Sequence, residues 1–255
     1  MGIFRAPNIP TNSLVFCVDP ANHKSYSEGS TAYDIAGGRD EGSNALVTLS
    51  SINSASSILN DGVGRRWSLN GTNQYWRINS SPAGLQPDIT HVTDTGYTVN
   101  AWIIPDTLSQ TQGIFSNDGE GNSTYYGITT FINSSGYLGI RTGDGGGTNP
   151  ANRITVLETS GGVSQSRWAF VSFVLFSVPA KWRIFVNGST LSMGTPSGTA
   201  TSIAYTGTNA GAIGLRGNDY FDGGIGGLWV YNRALSQSEI NTIYEKTKFK
   251  YSDPA

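Results

Sequence analysis

Apolar residues recur at every second position in a series of short runs, and each run ends at a glycine, asparagine or proline. Period two marks strands with one buried face, so the pattern predicts an all-β chain. Tyr97-Thr-Val-Asn-Ala-Trp-Ile-Ile104 alternates and stops at Pro105, which places Trp102 in the core. Arg167-Trp-Ala-Phe-Val-Ser-Phe-Val-Leu-Phe176 is apolar at both alternating sets of positions, as suits a central strand covered on both sides. Lys181-Trp-Arg-Ile-Phe-Val-Asn-Gly-Ser189 carries a strand into Asn187-Gly188, the dipeptide that best tolerates the positive φ angles of a type I′ hairpin turn. Helical periodicity is convincing only once. Ser236-Gln-Ser-Glu239 has capping-box spacing, and Ile240, Ile243 and Tyr244 then share one face, so a short C-terminal helix is expected to clamp an edge of the strands. The predicted architecture is all-β with that one helix. Residues 13–246 form the domain, 1–12 an N-terminal arm, and 247–255 a C-terminal tail that is either frayed or ordered by a neighbour.

Composition narrows the function. Charged residues make up 13% of the chain, against about 25% in an average domain, and 33 residues are glycine, so the surface is expected to be rich in Ser, Thr, Asn and Gly. The net charge is -2 and no Lys/Arg run occurs, which leaves the counterion release that drives nucleic-acid binding without a source. No nucleic-acid partner is expected. Met1 to Pro10 lacks the apolar core of a signal peptide, and no stretch reaches the roughly 18 apolar residues that span a bilayer, so cytoplasmic synthesis without membrane insertion is expected. Cys17, the single cysteine, sits inside Leu14-Val-Phe-Cys-Val18 and is expected to be a buried thiol.

The closing segment, Gly223-Gly-Ile-Gly-Gly-Leu-Trp-Val-Tyr-Asn-Arg-Ala-Leu-Ser-Gln-Ser-Glu-Ile240, resembles the end of concanavalin A-like lectin/glucanase domains of the laminin-G/pentraxin-like branch. There a glycine-led strand ending in an aromatic, an Asn-Arg-Ala-Leu turn and an Ile-bearing helix follow one another in this order, and the resemblance implies an antiparallel β-sandwich of jelly-roll type. The Tyr97–Asp106 strand and the order Trp168-Ala-Phe-Val171, then Arg183-Ile-Phe-Val-Asn-Gly188, are similar to the same family, and weaker matches occur at Trp67–Tyr75, Gly136–Arg141 and Gly211–Arg216. The opening, Leu14-Val-Phe-Cys-Val-Asp-Pro-Ala-Asn-His-Lys-Ser-Tyr26, resembles the start of such domains in tailed-phage structural proteins. That resemblance implies a non-enzymatic virion protein, a capsid decoration or appendage subunit located in the virion. Its implied partners are other virion proteins and further copies of itself. The alternative is an adhesin that binds a host surface glycan.

Few residues offer chemistry. Glycosidases of this fold place Glu-x-Asp-x-x-Glu along one strand, so that alternate carboxylates flank a glycosidic bond, and that order is absent. Asp118 and Glu120 are the one alternating pair and are expected in a solvated loop. His23 and His91 are the only histidines, without zinc or triad spacing. Relatives that bind calcium usually carry Asp-Glu in the closing strand, where this chain has Gly226 and Gly227. Asp34 is the remaining, weak calcium candidate, its default role a turn-former; no cofactor is otherwise expected. For sugar binding the candidates are Tyr125, Tyr126, Tyr220 and Phe221, with Asn122, Asn218 and Asp219 beside them, because ring faces stack on sugars and amides read their edges.

Overall fold

The computed structural model describes residues 9–26, 29–36, 48–54, 58–59, 64–80, 84–87, 96–118, 124–147, 149–206 and 211–251. The strands begin with β1 (Leu14–Val18), β2 (Thr31–Tyr33), β3 (Thr48–Ile52), β4 (Ile58–Leu59), β5 (Arg66–Asn70) and β6 (Tyr75–Ile78). The middle of the chain forms β7 (Tyr97–Pro105), β8 (Gln112–Ser116), β9 (Tyr126–Ile132), β10 (Leu138–Asp144), β11 (Arg153–Leu157) and β12 (Ala169–Leu175). Then follow β13 (Arg183–Val186), β14 (Ser189–Thr190), β15 (Ala212–Ile213), β16 (Leu215–Arg216), β17 (Asp219–Tyr220), β18 (Asp222–Tyr231) and the helix α1 (Gln237–Thr247).

These strands make two antiparallel eight-stranded sheets and a small ribbon. The first sheet runs β14-β13-β12-β7-β18-β5-β4, with β1 also on β18, and the second runs β11-β10-β9-β8-β15-β6-β3-β2. β18 is long enough for β5 to pair with its first half and β1 with its second. Alternate residues of both sheets meet in one core. At its heart Trp67 of β5 and Trp76 of β6 lie 4.8 Å apart, and Tyr26 stands edge-on to both.

The predicted elements are present. β12 lies between β13 and β7 and is buried at every position. Asn187 and Gly188 adopt φ of 50° and 80° in the turn between β13 and β14. Ser236 accepts from the Glu239 amide while Glu239 bonds back to Ser236. Cys17 is buried, and burial first, then the charges of Asp19 and Asp34, push its thiol pKa up.

Helix α1 does not clamp an edge. It lies across the outer face of the first sheet, where Trp102, Phe170, Trp229 and Phe185 project away from the main core and need cover. Ile240 and Ile243 supply it, and Tyr244 stacks 5.8 Å from Trp102. Trp102 is buried, but in this second layer rather than between the sheets. The segment after the helix continues the cover, so residues 247–251 are no frayed tail. A 3-10 turn at Lys248–Lys250 leads to Tyr251, whose ring sits 4.6 Å from both Trp102 and Trp168. Residues 252–255 and 1–8 lie outside the described residues. The described end of the N-terminal arm is also held, since Ile9 packs on this layer and the Tyr231 hydroxyl donates to the Pro10 carbonyl at 2.8 Å.

Candidate functional site

With one sheet face covered by α1, the outer face of the second sheet is where polar and aromatic groups gather. Strand register makes its layout explicit. Thr155, Arg141, Thr129, Ser116, Ala212 and Arg77 form one row across β11, β10, β9, β8, β15 and β6. In Leu138-Gly-Ile-Arg-Thr-Gly-Asp144, Leu138 and Ile140 belong to the core, so Gly139, Arg141 and Gly143 face outward. A Cβ on Gly139 would lie 2.5 Å from the Phe131 ring and 2.6 Å from Leu157, so glycine is what lets these two side chains meet across β10.

Arg141 is the centre of this face. Its guanidinium lies 4.7 Å from the Tyr125 ring centroid and 5.4 Å from that of Phe131, and its Nε donates to Thr155 Oγ1 at 3.1 Å. Arg153 covers the Tyr125 ring at 4.9 Å and donates to the Tyr125 hydroxyl at 2.6 Å. Arg216 covers Phe131 at 4.2 Å and pairs with Asp219 at 2.5 Å. Burial first, then the like charge of Arg216 and, less strongly, of Arg153, lower the pKa of Arg141 to about 10.

The β16–β17 ribbon brings Arg216 here. Its two-residue turn, Gly217-Asn218, has Gly217 at φ 61°. The ribbon folds over β8 at Gly113, where a Cβ would collide with the Leu215–Arg216 backbone. Leu215 and Tyr220 then pack with Tyr75 and Ala212, the rings of Tyr75 and Tyr220 being 6.2 Å apart. Beside Arg141, a groove of about 440 Å³ is lined by Tyr137, Thr155, Leu157, Thr159, Thr195 and Ser197.

The expected sugar candidates therefore separate. Tyr125, Asp219 and Tyr220 reach this face, and Asn218 is exposed at the ribbon's turn. Phe221 does not. It is fully buried in the main core, because Tyr220 faces outward and the next residue necessarily faces in. Tyr126 packs its ring over Gly145 instead. Asn122, Glu120 and His91 lie outside the described residues. The arginines and Phe131 were not among the candidates, although Arg141 and Arg216 each close a Gly-x-Arg segment whose alternation turns the arginine outward.

The carboxylates serve the fold. Asp118 is not in a solvated turn; it is buried, with its two oxygens accepting from the Thr206 amide at 2.5 Å and hydroxyl at 2.6 Å. Glu158 accepts from the amides of Leu138, Ser160, Gly161 and Gly162. Asp34 Oδ1 accepts from the Cys17 and Ala36 amides at 2.8 and 2.9 Å, which is a turn-former's work. Gly226 and Gly227 offer no side-chain ligand for calcium, and they seat Tyr251 instead: its hydroxyl accepts from the Gly227 amide at 2.8 Å, and a Cβ on Gly226 would lie 2.6 Å from its ring. No group of three His, Cys, Asp or Glu residues among the described residues is placed to hold a metal ion. No helix among the described residues is long and apolar enough to cross a membrane.

Two antiparallel sheets of this order around one core, closed by a capped helix, define a lectin-like β-sandwich. A laminin-G family model described as the concanavalin A-like lectin/glucanases superfamily matches residues 70–241, and the chain belongs to that superfamily. No curated protein matches the sequence significantly. Among solved structures, Trypanosoma rangeli sialidase is similar at TM-score 0.58 and 16% identity, over 96% of this chain and 34% of that one. The binding domain of Paraclostridial Mosquitocidal Protein 1 is similar at TM-score 0.59 and 16% identity, over 92% and 52%. The receptor binding domain of botulinum neurotoxin C/D mosaic serotype is similar at TM-score 0.54 and 13% identity, over the same shares. This chain thus spans about a third to a half of those structures, and at such identities the likeness is one of fold.

Proposed function

We propose that this chain is a non-catalytic carbohydrate-recognition module that binds its ligand on the outer face of the second sheet. The observation that carries this reading is the inequality of the two outer faces. One is sealed by α1 and Tyr251, whereas the other presents Tyr125, Tyr220, exposed Arg77 and a groove beside Arg141. All six tryptophans are buried, so on this face tyrosines are the rings placed to stack on a sugar. The absence of a catalytic role is supported by the missing Glu-x-Asp-x-x-Glu order and by the local engagement of Asp19, Asp34, Asp118 and Glu158, the buried carboxylates among the described residues. Two of the similar structures are binding domains by their own descriptions, which supports the same reading.

Glycan-array binding followed by calorimetry tests it. Tyr125→Ala and Tyr220→Ala should each weaken binding by about tenfold, roughly the worth of one ring contact, with unchanged circular dichroism. An array on which the folded chain retains no glycan even at millimolar sugar would sink the proposal.

The opening Asp19–Tyr26 motif favours a second reading about place: a structural protein of a tailed-phage virion, assembled with other virion proteins and with copies of itself, its sugar-binding face presented to a host. Purified particles should then contain the chain in fixed stoichiometry, and particles that lack it would remove this reading without touching the first.

A further inference from the structure

Three guanidiniums, those of Arg141, Arg153 and Arg216, meet around two aromatic rings, and Asp219 is the one carboxylate bonded to any of them among the described residues. That carboxylate is taken by Arg216 through both Nε and Nη2. Arg153 uses one amino group on the Tyr125 hydroxyl. Arg141 uses only Nε, on Thr155, and its two terminal amino groups donate to no acceptor among the described residues. Next to it in register, Thr129 is about nine-tenths buried and its hydroxyl has no hydrogen-bond partner among them. A half-buried cation stacked between rings, repelled by two others and left with unused donors, is a poor arrangement for the protein alone. It is a good one for a planar anion, which a guanidinium fork binds through two parallel hydrogen bonds.

We infer that this cluster is an anion subsite: Arg141, flanked by Arg153 and Arg216, takes the carboxylate or sulfate of an acidic sugar, whose ring lies against Tyr125 and whose chain continues into the groove beyond Thr155. The inference rests on the carbohydrate reading and names its ligand class. Continuity is provided by Thr155, which both accepts from Arg141 and lines the groove. The lowered pKa of Arg141, caused first by burial and then by the charges of Arg216 and Arg153, agrees with the geometry, since a bound anion would favour the charged form.

The test pairs each acid with its neutral twin on the full chain. Calorimetry uses trigalacturonate against its methyl ester, and a sulfated galactan oligosaccharide against the desulfated form, with inorganic sulfate as a control. One acidic ligand should bind at least about tenfold more tightly than its twin, weakening as salt rises. Arg141→Gln should abolish that difference, so that the acid and its neutral twin bind alike, in a protein with unchanged circular dichroism. Arg141→Lys, which keeps the charge but loses the fork, should restore the difference only in part. Which acid responds separates carboxylate from sulfate recognition. Equal binding of acid and neutral forms, or an acid preference unaffected by Arg141→Gln, would overturn the anion subsite while leaving carbohydrate recognition standing. Inorganic sulfate binding as tightly as the oligosaccharides would overturn the sugar part of the assignment. No binding of any sugar, acidic or neutral, would bring down both proposals.

Discussion

At the scale of single residues, aromatic side chains carry much of the stability of this sandwich. Trp67 and Trp76 come from different sheets and meet at 4.8 Å with Tyr26 edge-on, so one residue of the opening motif locks the two sheets at their centre. Replacing Trp67 by alanine removes a fully buried ring, and such truncations cost about 3–5 kcal/mol. Urea unfolding of Trp67→Ala should show a loss of that order, and a loss below about 1 kcal/mol would mean that the core closes around the gap. Polar atoms of Asp19, Ser25 and Tyr26 are also architectural. Asp19 caps the Ala21 amide and pairs with Lys250 at 2.6 Å, Ser25 donates to the Tyr33 carbonyl, and the Tyr26 hydroxyl donates to the Gly29 carbonyl. These contacts build the first turn of the domain.

Among the elements, α1 shows most directly how charge secures a secondary structure. Arg233 holds Glu239 through both carboxylate oxygens, at 2.6 and 3.0 Å. The Arg233 hydrogen bond, helped by the backbone and hydroxyl of Ser236, lowers the Glu239 pKa from 4.5 to about 2. A depressed carboxylate stabilises the fold fully above its unfolded value, and the contribution disappears as pH falls through the folded one. Wild-type stability should therefore decline between pH 4.5 and about 2, with a component that Glu239→Gln lacks; coincident pH profiles for the two proteins would refute this. The helix itself was legible in the sequence, because a capping box and the spacing of Ile240, Ile243 and Tyr244 are local signals. Its seat was not. Covering a face rather than an edge depends on Trp102, Phe170 and Trp229 becoming neighbours on three strands far apart in sequence. The binding face divides in the same way. Tyr125 and Tyr220 stood out as aromatics in loop-like segments, whereas Arg141, Arg153 and Arg216 converge only after β10, β11 and the β16–β17 ribbon have been placed side by side.

For the whole molecule, the first sheet's outer layer is completed by the last described residues. Deleting residues 248–255 would remove the Tyr251 ring from Trp102 and Trp168 and the Lys250 ammonium from Asp19. The truncated chain should show red-shifted tryptophan emission, stronger binding of an apolar dye and a lower melting temperature. Unchanged emission would mean that α1 alone seals the layer. The same packing settles where a leash would attach. Pro10 is held by Tyr231 and Tyr251 lies on Trp102, so both ends of the described chain emerge on the helix-covered side. Anything fastened there, whether a bead, a fused protein or a larger particle, would stand behind the domain, and the arginine-bearing sheet would look outward, presented to whatever approaches from the medium.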